Sequence, residues 1–156
     1  MVRAISNNND STIGVRSEFT PTLATKMLPL VRRIAEDMRQ LTEAIAAQRE
    51  QILEIDQLPE TIEHVDYQEE LSDIRGSLAD DEKRLDDCRR ELSSLGVEAH
   101  DPFDGAIDFP SFLNRRRVQL CWLPEDERVE YWHEVGQARQ DRKKIGTQEF
   151  GVSSQN

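Results

Sequence analysis

Apolar residues recur along the first half of the chain at steps of three and four. Leu23, Met27, Leu30, Ile34, Met38, Leu41, Ile45, Ile52 and Ile55 form one such stripe, the signature of a helix with a single buried face. Thr20-Pro21 stands at its start. Threonine suits the N-cap, and proline suits the first helical position, where its missing N–H has no partner to lose. The predicted helix covers residues 21 to 57, kinked rather than stopped by Pro29, because the stripe continues through it in register. Leu58-Pro59-Glu60-Thr61 breaks the pattern. A second stripe of Leu71, Ile74, Leu78, Leu85, Cys88, Leu92 and Leu95 predicts a helix over 66 to 95, with Gly96 placed to end it.

A turn near residues 61 and 62 lays the stripes against each other. Val31 then faces Leu92, Met38 faces Leu85, Ile45 faces Leu78 and Ile52 faces Leu71, with Gln48 near Arg75. Apolar meets apolar in those four layers, which predicts a long antiparallel helical hairpin of coiled-coil type. After Gly96 the pattern changes. Segments 97–100, 106–109, 117–122 and 128–133 read as short strands divided by turn residues, giving two antiparallel hairpins. The expected class is mainly α with a small β part (α+β). The expected organisation is a disordered lead over 1–19 and a single domain over 20–142, comprising the hairpin (21–95) and a β-containing C-terminal cap (96–142). A flexible tail over 143–156 follows.

Composition narrows the function classes. Apolar residues make up 37% of the 156 and charged residues 33%, the balance of long helices with wide solvated faces. The net charge is −11, and residues 61–100 hold twelve acidic against five basic side chains. Such a chain repels phosphate backbones and anionic bilayers, so neither nucleic acid nor membrane is expected as a partner. Two cysteines, Cys88 and Cys121, make no disulfide framework. No apolar run approaches the ~20 residues of a membrane span, and residues 1–18 lack the apolar core of a signal peptide. A cytoplasmic location is the expectation.

The candidate chemistry lies in the cap. Asp108, Cys121 and His133, with Asp101, Glu134 and Arg142 nearby in sequence, offer oxygen, sulfur and nitrogen donors for a small ligand or a zinc-like divalent ion. Cys121 and His133 fall on adjacent predicted strands, although no paired ligand motif is present. A catalytic casting of His133 as base, Cys121 as nucleophile and Arg142 as anion clamp lacks any feature that activates the cysteine. No catalytic residue is therefore assigned and no cofactor is expected, with a divalent metal as the alternative. Against all of these stands ordinary packing for Cys121 and His133, and ordinary turn chemistry for Asp101 and Asp104. Trp122 and Trp132 are candidates for an aromatic binding surface.

The ordered string Gly96-Val97, Asp101, Asp108-Phe109-Pro110, Leu120-Cys121-Trp122 and Trp132-His133-Glu134 resembles the bacterial domain of unknown function 2203 family. The resemblance runs from Phe19 to Arg142 and implies a bacterial protein without an assigned activity. The chain departs from the family pattern at three places. Arg115 stands where the family has Gly, Glu125-Asp126 where it has Gly-Glu, and Ala138-Arg139-Gln140-Asp141-Arg142 where it has a Gly-Phe-x-Gly-Arg-like run. Only the arginine survives there, so a family site in that run would be altered in this member. The function expected from these readings is a non-enzymatic protein-interaction module. Two amphipathic helices alone bury only a narrow seam, so the module is expected to self-associate through its hairpin as a dimer, with a further protein partner possible. The alternative is a small-ligand or metal-binding protein with its site in the cap.

Overall fold

The structure, a computed structural model, describes residues 18–58 and 65–151. The expected disordered lead up to residue 17 and the inter-helix turn over 59–64 lie outside the described residues. The last residues of the lead do not fit that expectation. Phe19 is buried, its N–H donates to the Pro110 carbonyl at 2.8 Å, and its carbonyl accepts from Ser111 Oγ.

Helix α1 spans Pro21–Lys26, and the Thr20 Oγ1 cap accepts from the Leu23 N–H at 3.1 Å. Helix α2 spans Leu28–Asp56. The expected kink at Pro29 is thus a break at Met27, with Pro29 in the first turn of a new helix, where its missing N–H costs little. The buried face is rotated from the predicted stripe on both sides of the break. Ala24, Leu28, Val31, Ile34 and Ala35 are buried, while the predicted stripe residues Leu23 and Leu30 are 46% and 41% exposed. Helix α3 spans Val65–Ser94 and ends as its glycine predicts. Gly96 takes φ +86°, its N–H donates to the Ser93 carbonyl, and the Val97 N–H reaches back to the Leu92 carbonyl at 3.1 Å. This is the paired closure of a left-handed helix stop.

The fold divides into two compact units, one of residues up to 35 together with those from 91 onward, the other of residues 36–90. In the second unit α2 and α3 run antiparallel, but not in the predicted register. Gln48, expected near Arg75, donates to Asp81 at 3.1 Å. Arg49 pairs with Glu82 at 2.6 Å and Arg75 with Asp56 at 3.3 Å. The slip is close to one heptad, which brings apolar faces together again, so the stripes alone do not distinguish the two registers. The polar cross-pairs do. Met38, Ile45, Ile55 and Leu71 are buried, whereas Leu41, Ile52, Ile74, Leu78, Leu85 and Cys88 are only half-buried.

The first unit carries a five-stranded antiparallel sheet in chain order: β1 (Glu98–Ala99), β2 (Ile107–Leu113), β3 (Arg116–Trp122), β4 (Tyr131–Glu134) and β5 (Lys143–Lys144). The two expected hairpins are therefore joined into one meander. β2 continues through Pro110 because β1 pairs only with Ile107 and Asp108. At Pro110 the strand is an edge on that side, where a missing N–H is tolerated, and Phe19 docks there instead. Asn114 and Arg115, at φ +52° and +69°, turn β2 into β3. The stretch expected to begin a flexible tail is built in: Lys143 and Lys144 pair with β4, and buried Phe150 bridges Leu113. Hydrophobic burial of that phenyl ring holds the segment down.

One face of the sheet is apolar. Phe109 meets Phe19 edge-on at 5.3 Å between ring centroids, and Arg32 lies 5.2 Å over the Trp122 ring while donating to the Asp126 and Glu127 carbonyls. Trp122 and Trp132 belong to this core at 1% and 5% exposure. They do not form an exposed aromatic surface, because strand alternation turns both toward the packed side.

Two outcomes test these assignments. Arg115 occupies a left-handed turn position that favours glycine. Arg115→Gly is expected to raise unfolding free energy by about 1 kcal/mol in urea titrations, and a loss of stability would show that the arginine side chain outweighs its backbone. Leu71→Ala should cost roughly 2 to 4 kcal/mol, and Leu78→Ala clearly less. The reverse ranking would reject the observed hairpin register.

Candidate metal centre

The sheet face opposite the tryptophans presents polar side chains. Direct cross-strand partners share a face, and the register pairs Asp108 with Cys121, Gln119 with His133 and Cys121 with Tyr131. All of these therefore project to one side. His100 follows β1 on the same side, two residues past Glu98, which pairs with Asp108. The loop holding it is closed by hydrogen bonds: the His100 N–H donates to the Ala106 carbonyl, the Ala106 N–H to Asp104 Oδ1, and an Arg139 Nη1–H to the Asp104 carbonyl.

His100, Asp108, Cys121 and His133 converge. One donor atom from each lies within 4.8 Å of the others. Among the described residues this is the one such group of histidine, cysteine and carboxylate side chains. Asp108 sits between the imidazoles: Oδ2 is 2.8 Å from His100 Nε2 and Oδ1 is 3.1 Å from His133 Nε2. The rings meet edge to face at 5.7 Å. Asp108, Cys121 and His133 are buried, and His100 is partly accessible at 15% of its side chain.

The electrostatics follow from that packing. Burial would raise the Asp108 carboxyl, but hydrogen bonds from His100 and His133 outweigh it and hold it below the usual range. His100 is raised, first by its hydrogen bond to Asp108. Burial pulls His133 down, yet its bonds to Asp108 and to the Glu134 carbonyl leave it raised. The Cys121 thiol is pushed far up, mainly by burial and then by the Asp108 charge. A thiol held that high is protonated and a poor nucleophile, so the sulfur acts as an anion only beside a cation.

His133 has a fixed orientation. Its Nδ1 lies 2.8 Å from the Glu134 carbonyl, which only accepts, so Nδ1 carries a proton. In a neutral ring Nε2 then directs a lone pair into the cluster, the arrangement that metal-binding histidines adopt when their second nitrogen is hydrogen-bonded to the protein.

The sequence candidates separate accordingly. Asp108, Cys121 and His133 come together. Asp101 is exposed in a turn and Glu134 turns its carboxylate to Arg116, at 2.6 and 3.1 Å, contributing only its carbonyl to the cluster. Arg142 is not at the donors either. It pairs with Asp126 at 2.6 Å, lies 4.0 Å over Tyr131 and donates to the Cys121 carbonyl at 3.3 Å, bracing the end of β3. His100 is the residue that sequence reasoning missed. Its signal was its position just before the Asp101-Pro102 turn, which returns the chain to Asp108.

Residues 17–145 match the family described as "Uncharacterized conserved protein (DUF2203)". The chain belongs to the DUF2203 family. No curated protein and no solved structure matches it. No helix of this DUF2203 member, among the described residues, is long and apolar enough to cross a membrane.

The metal-free cluster predicts a pH dependence. His100 and His133 are raised on folding, so their contribution to stability is complete below the ordinary histidine value of 6.5 and is lost as pH rises through their folded values. Asp108 is lowered, so its contribution is present above the ordinary 3.8 and is lost as pH falls through its folded value. The acidic groups facing the histidines are Asp104, Asp108 and Asp141, the two imidazoles also face each other so that His133 opposes the charge on His100, and Cys121 completes the cluster. Chelator-treated protein is expected to melt at progressively lower temperature as pH is raised above 6.5, and Asp108→Asn should flatten that slope. A melting temperature that rises over the same range would mean that the histidines are neutral in the fold.

Proposed function

We propose that this DUF2203 member is a metal-binding protein whose sheet holds one divalent first-row ion through His100, Asp108, Cys121 and His133. The observation that carries the reading is the convergence of two imidazole nitrogens, a sulfur and a carboxylate oxygen on one largely buried face. Thiolate and imidazole donors together select zinc-like ions over magnesium or calcium, which prefer oxygen alone. Donor atoms around one tetrahedral zinc stand roughly 3.3 to 3.6 Å apart, by the bond lengths of such centres. To reach that spacing the farthest donors, within 4.8 Å of one another, approach by about 1 Å while the Asp108–imidazole contacts of 2.8 and 3.1 Å lengthen slightly, changes within the reach of small side-chain rotations. A cation at this point would stabilise the Cys121 thiolate and the Asp108 carboxylate, both costly to bury unpaired.

Self-association through the hairpin is the weaker reading. Residues 36–90 carry seventeen acidic against seven basic side chains, so two such arms repel one another.

Elemental analysis of protein purified with zinc supplied in the medium tests the proposal. About one zinc per chain is expected, with most of it lost from Cys121→Ala and from His133→Ala, and with a melting temperature that chelation lowers. Wild-type protein that stays zinc-free and does not respond to added zinc would leave the cluster a purely structural His–Asp–His network.

A further inference from the structure

His133 is on β4 and Asp108 on β2, with β3 between them, yet their side chains meet at 3.1 Å. The contact therefore passes over β3, on the face where β3 presents Cys121 and Gln119. Cys121 is one of the converging donors. Gln119 is the direct cross-strand partner of His133, and its Oε1 is buried without a hydrogen-bond donor. A buried carbonyl oxygen left unpaired has lost its hydrogen bonds to water without replacement, and this one belongs to the residue directly beside His133 on the face that carries the cluster.

We infer that the metal centre keeps a fifth, exchangeable coordination position beside Gln119, in addition to its four protein donors and occupied by a water molecule or another small oxygen- or nitrogen-donor ligand. This rests on the metal-binding reading above. The hydrogen-bond inventory balances. A metal-bound water has two O–H donors. Asp108 has two oxygens, and one bond to the metal leaves the second free to accept. Gln119 Oε1 supplies the other acceptor. The site has an access side as well, because the His100 and Asp108 side chains are 15% and 10% exposed while His133 is sealed at 1%. An open position separates centres that act on a ligand from closed, purely structural ones.

Cobalt(II) substitution of the full chain reads this directly, with azide as the probe. Stoichiometric cobalt binding with a sulfur-to-metal band tests the metal reading by itself. If the position is open, azide shifts the visible cobalt bands of the wild-type protein, and Gln119→Leu shifts them without azide by removing the acceptor for the bound water. Intense four-coordinate bands that neither azide nor Gln119→Leu changes would overturn the inference while leaving the metal site intact. Absence of any cobalt band would overturn both readings. The azide titration needs no variant, so poor folding of Gln119→Leu does not blunt the test.

Discussion

Asp108 sets the terms for everything on the polar face of the sheet. A carboxylate buried in an antiparallel sheet must recover, from fixed partners, the stabilisation that it loses with water. Here two histidines provide it, one from each side: His100 from the loop after β1 and His133 across β3. That demand orders the surroundings. The His100 loop is tied by Asp104 and Arg139, and His133 is held from behind by the Glu134 carbonyl. Cys121 is placed against the carboxylate by strand register alone. Remove the carboxylate and the histidines lose the group that holds their Nε2 atoms together.

The two units of the fold differ in character. The 36–90 unit accounts for most of the net charge, leaving fourteen acidic against thirteen basic side chains over the rest of the chain. The electrostatics of the sheet's polar face are thus a matter of local groups rather than of a broad negative field. The arm is laced with exposed ion pairs such as Arg39 with Glu36 and Glu43, each worth little by itself. What matters there is the set of cross-helix polar pairs, which distinguishes the observed register from the one a heptad away.

The departures from the family pattern read differently once Arg142 is placed. Its guanidinium bonds the Asp126 carboxylate, and Asp126 Oδ2 also accepts from the Leu123 N–H. The Arg142–Asp126 pair braces the turn that leads from Cys121 toward β4 rather than a ligand. The arginine at position 115 keeps the left-handed turn that a glycine would fill with less strain.

Much of this architecture was legible in the sequence. The two helices, the N-cap at Thr20, the stop at Gly96, the α+β class and the side-by-side strands bearing Cys121 and His133 all follow from periodicity and capping, which depend on near neighbours along the chain. The heptad slip of the hairpin was not legible, because a repeating stripe matches itself again seven residues on. The break at Met27 was hidden because proline suits a first helical turn as well as a kink. The burial of both tryptophans was left open because alternation assigns faces without saying which face is covered. His100 entered the cluster through a loop closure and a strand pairing that no local pattern encodes. The residue types that could bind a metal were decided by the sequence, but their meeting point was decided by the register of four strands and one loop, a long-range property that only the folded chain possesses.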